Sequence, residues 1–437
     1  MDQIRKFING NYFIALVFII TILVWWLNLA VVAMVFYIAL IILIIAIDAN
    51  RITMTTVVLA ALICFRETSI QETAPIIIIA GLCAIPFLIY DIIKTKIDYK
   101  NPIFISLLAF LAANILSLLN TTSDTFTWGI LGIGQTLGFV FLFLYLSSNQ
   151  KEGDYHYFSK ATAALGLAVA IEFLIYFLTY TEGIIGKDIR LGWGMSNTIA
   201  MLMTMVIPIT YYLYIENQSR KYVLAIVVIE LVVVMLMLSK GAYLALVAVF
   251  LLLAVLALSK IKDRKTLFKD HLFALALLII FGVIIFQIDT LWEGFKSYLE
   301  MMDTRGWFDD DSRLKIYRAA YNVFKRFPLF GSGSYTAIYY LVESGFAPGL
   351  VHYHNIFLHS MATLGLVGLL SFLYFLYISL KSCLINNSYN ISVLIAVIAM
   401  IIHGMVDNTW YNPLVMIFIL SALAVIGKVK KPNLVLN

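Results

Sequence analysis

Apolar runs of 15–25 residues, separated by short polar breaks, recur along the chain. A run of that size suits a helix crossing a hydrocarbon core of about 30 Å. Fourteen such runs stand at 10–26, 29–47, 52–65, 74–93, 102–119, 127–147, 160–180, 196–215, 221–238, 241–258, 271–288, 355–380, 391–406 and 412–427. The third is short enough to be re-entrant or interfacial, and the last two are also short, so twelve crossings is the lower count. Residues 222–258 are almost unbroken apolar sequence. As one helix they would run about 55 Å, too long for a single crossing. The break Ser239-Lys240-Gly241 therefore predicts a turn between two spans.

One long polar stretch, 289–354, interrupts the series. It divides the chain into an N-terminal bundle (1–288), an extramembrane loop (289–354) and C-terminal helices (355–437). The fold predicted is an all-α integral membrane protein, a polytopic bundle of about twelve to fourteen transmembrane helices with one large extracytoplasmic helical loop. Within that loop a helix is predicted from Asp311 or Ser312, which can cap its first turn, to the stop at Pro328. Leu314, Tyr317, Tyr321 and Phe324 recur at spacings of three, four and three and define its apolar face. Lys315, Arg318 and Lys325 lie off that face, so the helix suits a membrane interface.

Composition agrees with this picture and narrows it. Of 437 residues, 62% are apolar and 13% charged, against about 45–50% and 25% in soluble domains. A soluble enzyme, a nucleic-acid-binding protein, a disordered chain and a disulfide scaffold are excluded on that basis. Cys64, Cys83 and Cys383 are not spaced as metal ligands or as a disulfide framework. Arg5 and Lys6 precede the first run without a small-residue cleavage site after it, which reads as an uncleaved first helix.

Charge placement sets the orientation. With the N-terminus inside, nineteen Lys and Arg residues fall on the inner side and four (Arg66, Lys187, Arg190, Lys240) in short outer loops. By the excess of basic residues in cytoplasmic loops, both termini face the cytoplasm and the 289–354 loop faces outward. The expected location is a bacterial cytoplasmic membrane, crossed many times. Arg190, Lys240, Arg313, His352, His354 and His359 then gather at the outer face, where ATP and nucleotide sugars are absent. His403 and Asp407, at i and i+4, share one predicted helix face near the same end.

These residues resemble a known family. Arg190-Leu-Gly-Trp-Gly-Met-Ser-Asn197 looks like the arginine-to-asparagine segment of the O-antigen ligase/polymerase superfamily. Ser239-Lys240-Gly241-Ala242 resembles its Ser-Arg-Gly-Ala turn, with lysine in place of arginine. Ser312-Arg313, then Pro328-x-x-Gly331-x-Gly333 and His354-Asn355, is similar to its large outer loop, and Gly365 and Gly368 fit the small residues after the histidine. The resemblance covers about 190–370. It implies a glycosyltransferase whose donor is a glycan on undecaprenyl diphosphate and whose acceptor is a sugar hydroxyl. It implies no metal, nucleotide or other cofactor; the partners expected are membrane lipids and a glycan-export apparatus, not nucleic acid.

Such a transfer needs cations against the departing diphosphate and a base for the incoming hydroxyl. Arg190 and Arg313, with Lys240 as a third cation, are the candidate diphosphate clamp, since a guanidinium can donate two parallel bonds to phosphate. His354 is the candidate base, and Asn355 and Tyr317 are candidates to orient the acceptor. Bland readings stand beside each. Arg313 can bind lipid phosphate, Arg190 can pair with Asp188 or snorkel, and Lys240, read as terminating a helix, is favoured there by the dipole alone. His352, His354 and His359 match no common zinc spacing, and Asp309-Asp310-Asp311 reads as a solvated run before a helix. Glu172 and Glu230 fall near span centres, the best sign of a rival transporter or flippase. Polymerase and ligase share the donor chemistry; polymerase is favoured slightly.

Overall fold

A computed structural model describes residues 1–65, 86, 89–90, 93–94, 97–148, 150–179, 190–191, 194–289, 292–293, 296–297, 300, 311–347, 350–385, 387–408 and 412–426. The described residues form a helical bundle. In chain order the helices are α1 (Asp2–Ile8), α2 (Asn11–Trp26), α3 (Ala30–Ala46), α4 (Thr53–Ile63), α5 (Pro102–Ser117), α6 (Phe126–Ser147) and α7 (Asp154–Thr179). Then follow α8 (Ser196–Glu216), α9 (Tyr222–Leu236), α10 (Lys240–Lys260), α11 (Arg264–Phe286), α12 (Asp311–Arg326) and α13 (Ala337–Glu343). The last three are α14 (Ile356–Cys383), α15 (Ser388–Gly404) and α16 (Pro413–Ala424). A two-residue antiparallel ladder, β1 (Arg190–Leu191) with β2 (Gly194–Met195), precedes α8.

Among the described residues seven helices are long and apolar enough to cross a membrane; α1 with α2, bent by 63°, makes an eighth if the pair counts as one span, and α3, α4, α9, α15 and α16 are shorter apolar helices. The protein is an all-α polytopic membrane protein. The run predicted at 74–93 lies largely outside the described residues, and each of the other thirteen coincides with a helix. The largest boundary error is at α11, which begins at 264 where the apolar run begins at 271. Its first turns are polar but still helical, because Asp263 caps them by accepting from Lys265 N and Thr266 N. Hydropathy cannot see a capped polar turn.

The core centres on α8, which is buried along nearly its whole length, while in α11 Leu267 and Asp270 are the buried residues. The α8 helix packs against α7, α9, α10 and α15, whereas α11 leans on α9. A helix buried all round must satisfy its polar tips at its ends. In α8 this happens at the last turns: Tyr211 Oη meets His271 Nε2 at 2.8 Å and Tyr214 donates to Asp270 at 3.0 Å.

The same end collects the basic residues assigned to the inner side. Arg5 donates to Ile47 O at 2.8 Å, and Lys160 to Asn11 at 3.1 Å. Glu216 takes both Arg220 and His156 at 3.0 Å, and Lys221 pairs with Asp270 at 2.9 Å.

At the other end the loop holds a second, short helix, α13, beyond the one expected. The apolar face of α12 also differs from expectation. Ile316, Ala319, Ala320 and Val323 are buried, while Leu314 and Tyr321 are each 52% exposed. Small residues let α12 lie close to α13 and α14, where Tyr340, Leu341, Tyr353 and Ala362 complete the cluster. Selecting the stripe by side-chain size missed the two alanines.

A backbone joint fixes this loop to the bundle. Within α14, Gly365 has φ 68° and ψ −164°, which breaks the helical ladder. The segment after Pro328 fills the break. Ser332 and Gly333 N–H groups donate to Ala362 and Thr363 carbonyls at 3.1 and 2.9 Å, and Leu366 and Val367 N–H groups donate to Pro328 and Leu329 carbonyls at 2.9 and 3.2 Å. A Cβ on Gly331 would collide with Thr363 and Leu364 backbone, and one on Gly365 with Leu329. Asn120 holds the joint from α5's side by donating to Gly331 O at 2.8 Å. The Pro-x-x-Gly-x-Gly motif is thus the part that plugs a broken span.

Candidate functional site

The site is built around Asp407, three residues beyond the end of α15. Oδ1 accepts from His352 Nε2 at 3.1 Å, His354 Nδ1 at 3.0 Å and its neighbour Asn408 N at 2.7 Å. Oδ2 accepts from Asn197 Nδ2, in the first turn of α8, at 2.9 Å. Burial alone would raise this carboxyl, but hydrogen bonds and charge from His352 and His354 hold it well below the usual carboxylate range. A carboxylate so depressed stabilises the fold above its unfolded value of about 3.9, and that contribution is lost as pH falls through the folded value. The thermal midpoint of Asp407→Asn, followed by tryptophan fluorescence, is expected to lie below the parent's near neutrality. The gap should narrow as pH falls below the unfolded value of about 3.9; a gap that widens on acidification would contradict it.

His354 is aimed by its backbone. Its φ is +48°, a left-handed conformation that histidine adopts more readily than most residues. Tyr317 donates to its carbonyl at 3.3 Å. The next residue, Asn355, uses both ends of its amide in the fold: Oδ1 caps α14 by accepting from Phe357 N and Leu358 N, each at 3.0 Å, and Nδ2 donates to Met405 O at 2.8 Å. Both amide atoms are engaged in the fold, and the second Nδ2 hydrogen is what the side chain can still offer a ligand. Asn355 ties the start of α14 to the end of α15 and thereby places His354 over Asp407.

A second wall comes from the turn between α9 and α10. The turn runs through Leu238 at φ +53°, a costly conformation for leucine. It brings Ser239 Oγ to 3.3 Å from His403 Nε2. Gly241 lies against the same ring, where a Cβ would stand 3.1 Å from Cδ2. Half-buried Lys240 is the first residue of α10. The expectation that Lys240 terminates a helix is therefore corrected: it begins one. There the helix dipole opposes a cation, so the dipole does not account for it.

The remaining candidates approach on neighbouring elements. Half-buried Arg313 lies on α12 one turn before Tyr317. Arg190 pairs through its backbone with Met195, two residues before Asn197; its side chain lies outside the described part. His359 does not join the other two histidines at Asp407. It is buried in α14 with its ring 5.7 Å from Tyr353's. His403 and Asp407 do not satisfy one another either, since α15 ends at Gly404 and the two side chains part, to Ser239 and to the histidine pair.

Asp407 as a hub, with Asn197 and His352 as its donors, is the part that local sequence reading did not assemble. Its only linear trace is His-x-His, because the acceptor is more than fifty residues away. Two histidines and a carboxylate have the composition of a cation site, and their ligand atoms lie within 4.8 Å of one another. Both ring nitrogens nonetheless meet a single oxygen at hydrogen-bond distance. Asp309 and Asp310 lie outside the described residues. Glu230 accepts from Thr210 at 3.0 Å in the interior, and Glu172 is fully buried on α7.

Residues 224–373 match a family model described as O-antigen ligase. The matched segment runs from α9 into α14 and contains Lys240, Arg313, Tyr317, His354 and both halves of the glycine joint. It supports the O-antigen ligase/polymerase superfamily and a membrane glycan-processing function. No curated protein matches the chain.

Proposed function

We propose, from the O-antigen ligase match at residues 224–373, that this chain is a membrane glycosyltransferase working at the outer face of a bacterial cytoplasmic membrane. It takes a glycan from undecaprenyl diphosphate and joins it to an acceptor sugar hydroxyl, polymerising the repeat units of a surface polysaccharide. The observation that carries the reading is His354, held by Asp407 through Nδ1 at the bundle end opposite the basic one. With Nδ1 engaged, Nε2 is the nitrogen left to take a proton. The acceptor oxygen attacks the anomeric carbon, its proton passes to Nε2, and the bond to the diphosphate breaks with the electron pair leaving on phosphate. Arg313, Lys240 and Arg190 balance the charge that develops there. Attack opposite the leaving group inverts the anomeric centre.

The test uses purified protein in nanodiscs with undecaprenyl diphosphate-linked repeat units, without metal or nucleotide, and products resolved by size. A ladder of longer lipid-linked glycans is the expected result. Transfer seen only after a different acceptor is added would make the protein a ligase. No transfer to either kind of acceptor would overturn the reading, as would retained anomeric configuration for the displacement.

A further inference from the structure

The Asp407 cluster holds one histidine more than a single base requires. Both imidazoles bond to the same atom, Oδ1, at 3.1 and 3.0 Å, and their ring centroids are 4.5 Å apart. Resting on the reading of His354 as the base, we propose that His352 is a positioning residue: it takes a share of Asp407 Oδ1, limits how firmly that oxygen holds His354, and so leaves His354 free to accept the proton of the incoming hydroxyl.

The sign follows from hydrogen-bond competition. An oxygen with one donor fewer is a stronger acceptor for the donor that remains. A stronger bond from His354 Nδ1–H favours its imidazolium form, and an imidazolium has no lone pair with which to take a proton. His352 competes for the oxygen through its ring N–H, so removing that donor extends the protonated range of His354 upward in pH. Asn197 fixes the other oxygen at 2.9 Å, so the carboxylate cannot turn away to relax the competition. Titratable or charged groups on the surrounding elements include Arg313 and Tyr317 of α12, Lys240 of α10, His403 of α15, His359 of α14, and Tyr353 between the pair in sequence.

The chain has six histidines, few enough for their imidazole carbons to be followed individually by NMR in protein labelled at those carbons and held in nanodiscs. His354→Gln identifies the His354 signal by its loss. In His352→Phe the His354 midpoint is expected to rise by about 0.5–1 pH unit, a three- to tenfold gain in proton affinity. His352→Gln keeps an N–H donor and should return the midpoint to the parent's, whereas Asp407→Asn should lower it. A midpoint that stays or falls in His352→Phe, or His352→Gln behaving like His352→Phe, overturns the proposal. The acid limb of the transfer rate should follow the midpoint. A parent without transfer but with the shift defeats the reading of His354 as base and leaves the coupling; transfer without the shift defeats the coupling alone.

Discussion

Glutamine in place of His354 is expected to lower glycan transfer by about 10²–10⁴-fold, the usual contribution of a positioned general base. Glutamine can still donate to Asp407 Oδ1, so the hub keeps its partner, but it offers no basic nitrogen. The loss should fall on kcat, since the proton moves in the transition state and not on binding. Because His354 sits at φ +48°, a second variant is needed to separate chemistry from backbone strain. Asparagine tolerates that conformation at least as well as histidine, so His354→Asn should fold with the parent's thermal midpoint and be equally inactive. A folded variant of either kind retaining more than a tenth of the parent rate would sink the assignment.

The second large effect concerns the joint. Alanine at Gly365 is expected to cost about 2–6 kcal/mol: roughly 1–3 for a side chain in a region essentially reserved for glycine, and about 1–3 for pushing against Leu329. Domains are typically stable by only about 5–15 kcal/mol, so this variant should lose most folded protein after detergent extraction. Gly282 of α11 supplies the control, since a Cβ there meets nothing within 4 Å. Gly282→Ala should be neutral or slightly stabilising, as alanine is the better helix former. Equal yields and thermal midpoints for the two variants would show that the joint is not what holds the loop.

The spans were legible because apolar length and membrane thickness impose one another. The turn at Ser239-Lys240-Gly241 was legible for the same reason: 222–258 is too long to cross once. The gathering of basic residues was legible in part, as Arg5, Lys160, Arg220 and Lys221 show by meeting at one end of the bundle. What local pattern could not supply was side-chain direction and long-range pairing. The buried stripe of α12 was misjudged because the largest side chains, such as Leu314 and Tyr321, do not mark it; it runs through Ile316, Ala319, Ala320 and Val323. Lys240 was placed at the wrong end of a helix because a two-helix turn leaves it ambiguous which helix owns the cation. The capping role of Asn355 at the start of α14 was not foreseen, because its amide was weighed only for a ligand. Asp407 was visible as a polar residue near the right end, but its role depends on residues 53 and 210 positions away in sequence.

The joint at Gly365 carries a wider consequence. Its four cross-links are made by main-chain atoms, and Leu329 between them is half exposed. Main-chain bonds do not depend on the identity of the side chains they pass. The loop therefore has a scaffold that glycines guard and a surface that can be rewritten freely around it. Substitution at positions such as Leu314, Tyr321 and Leu329 can change that surface without loosening the grip that keeps His354 in place.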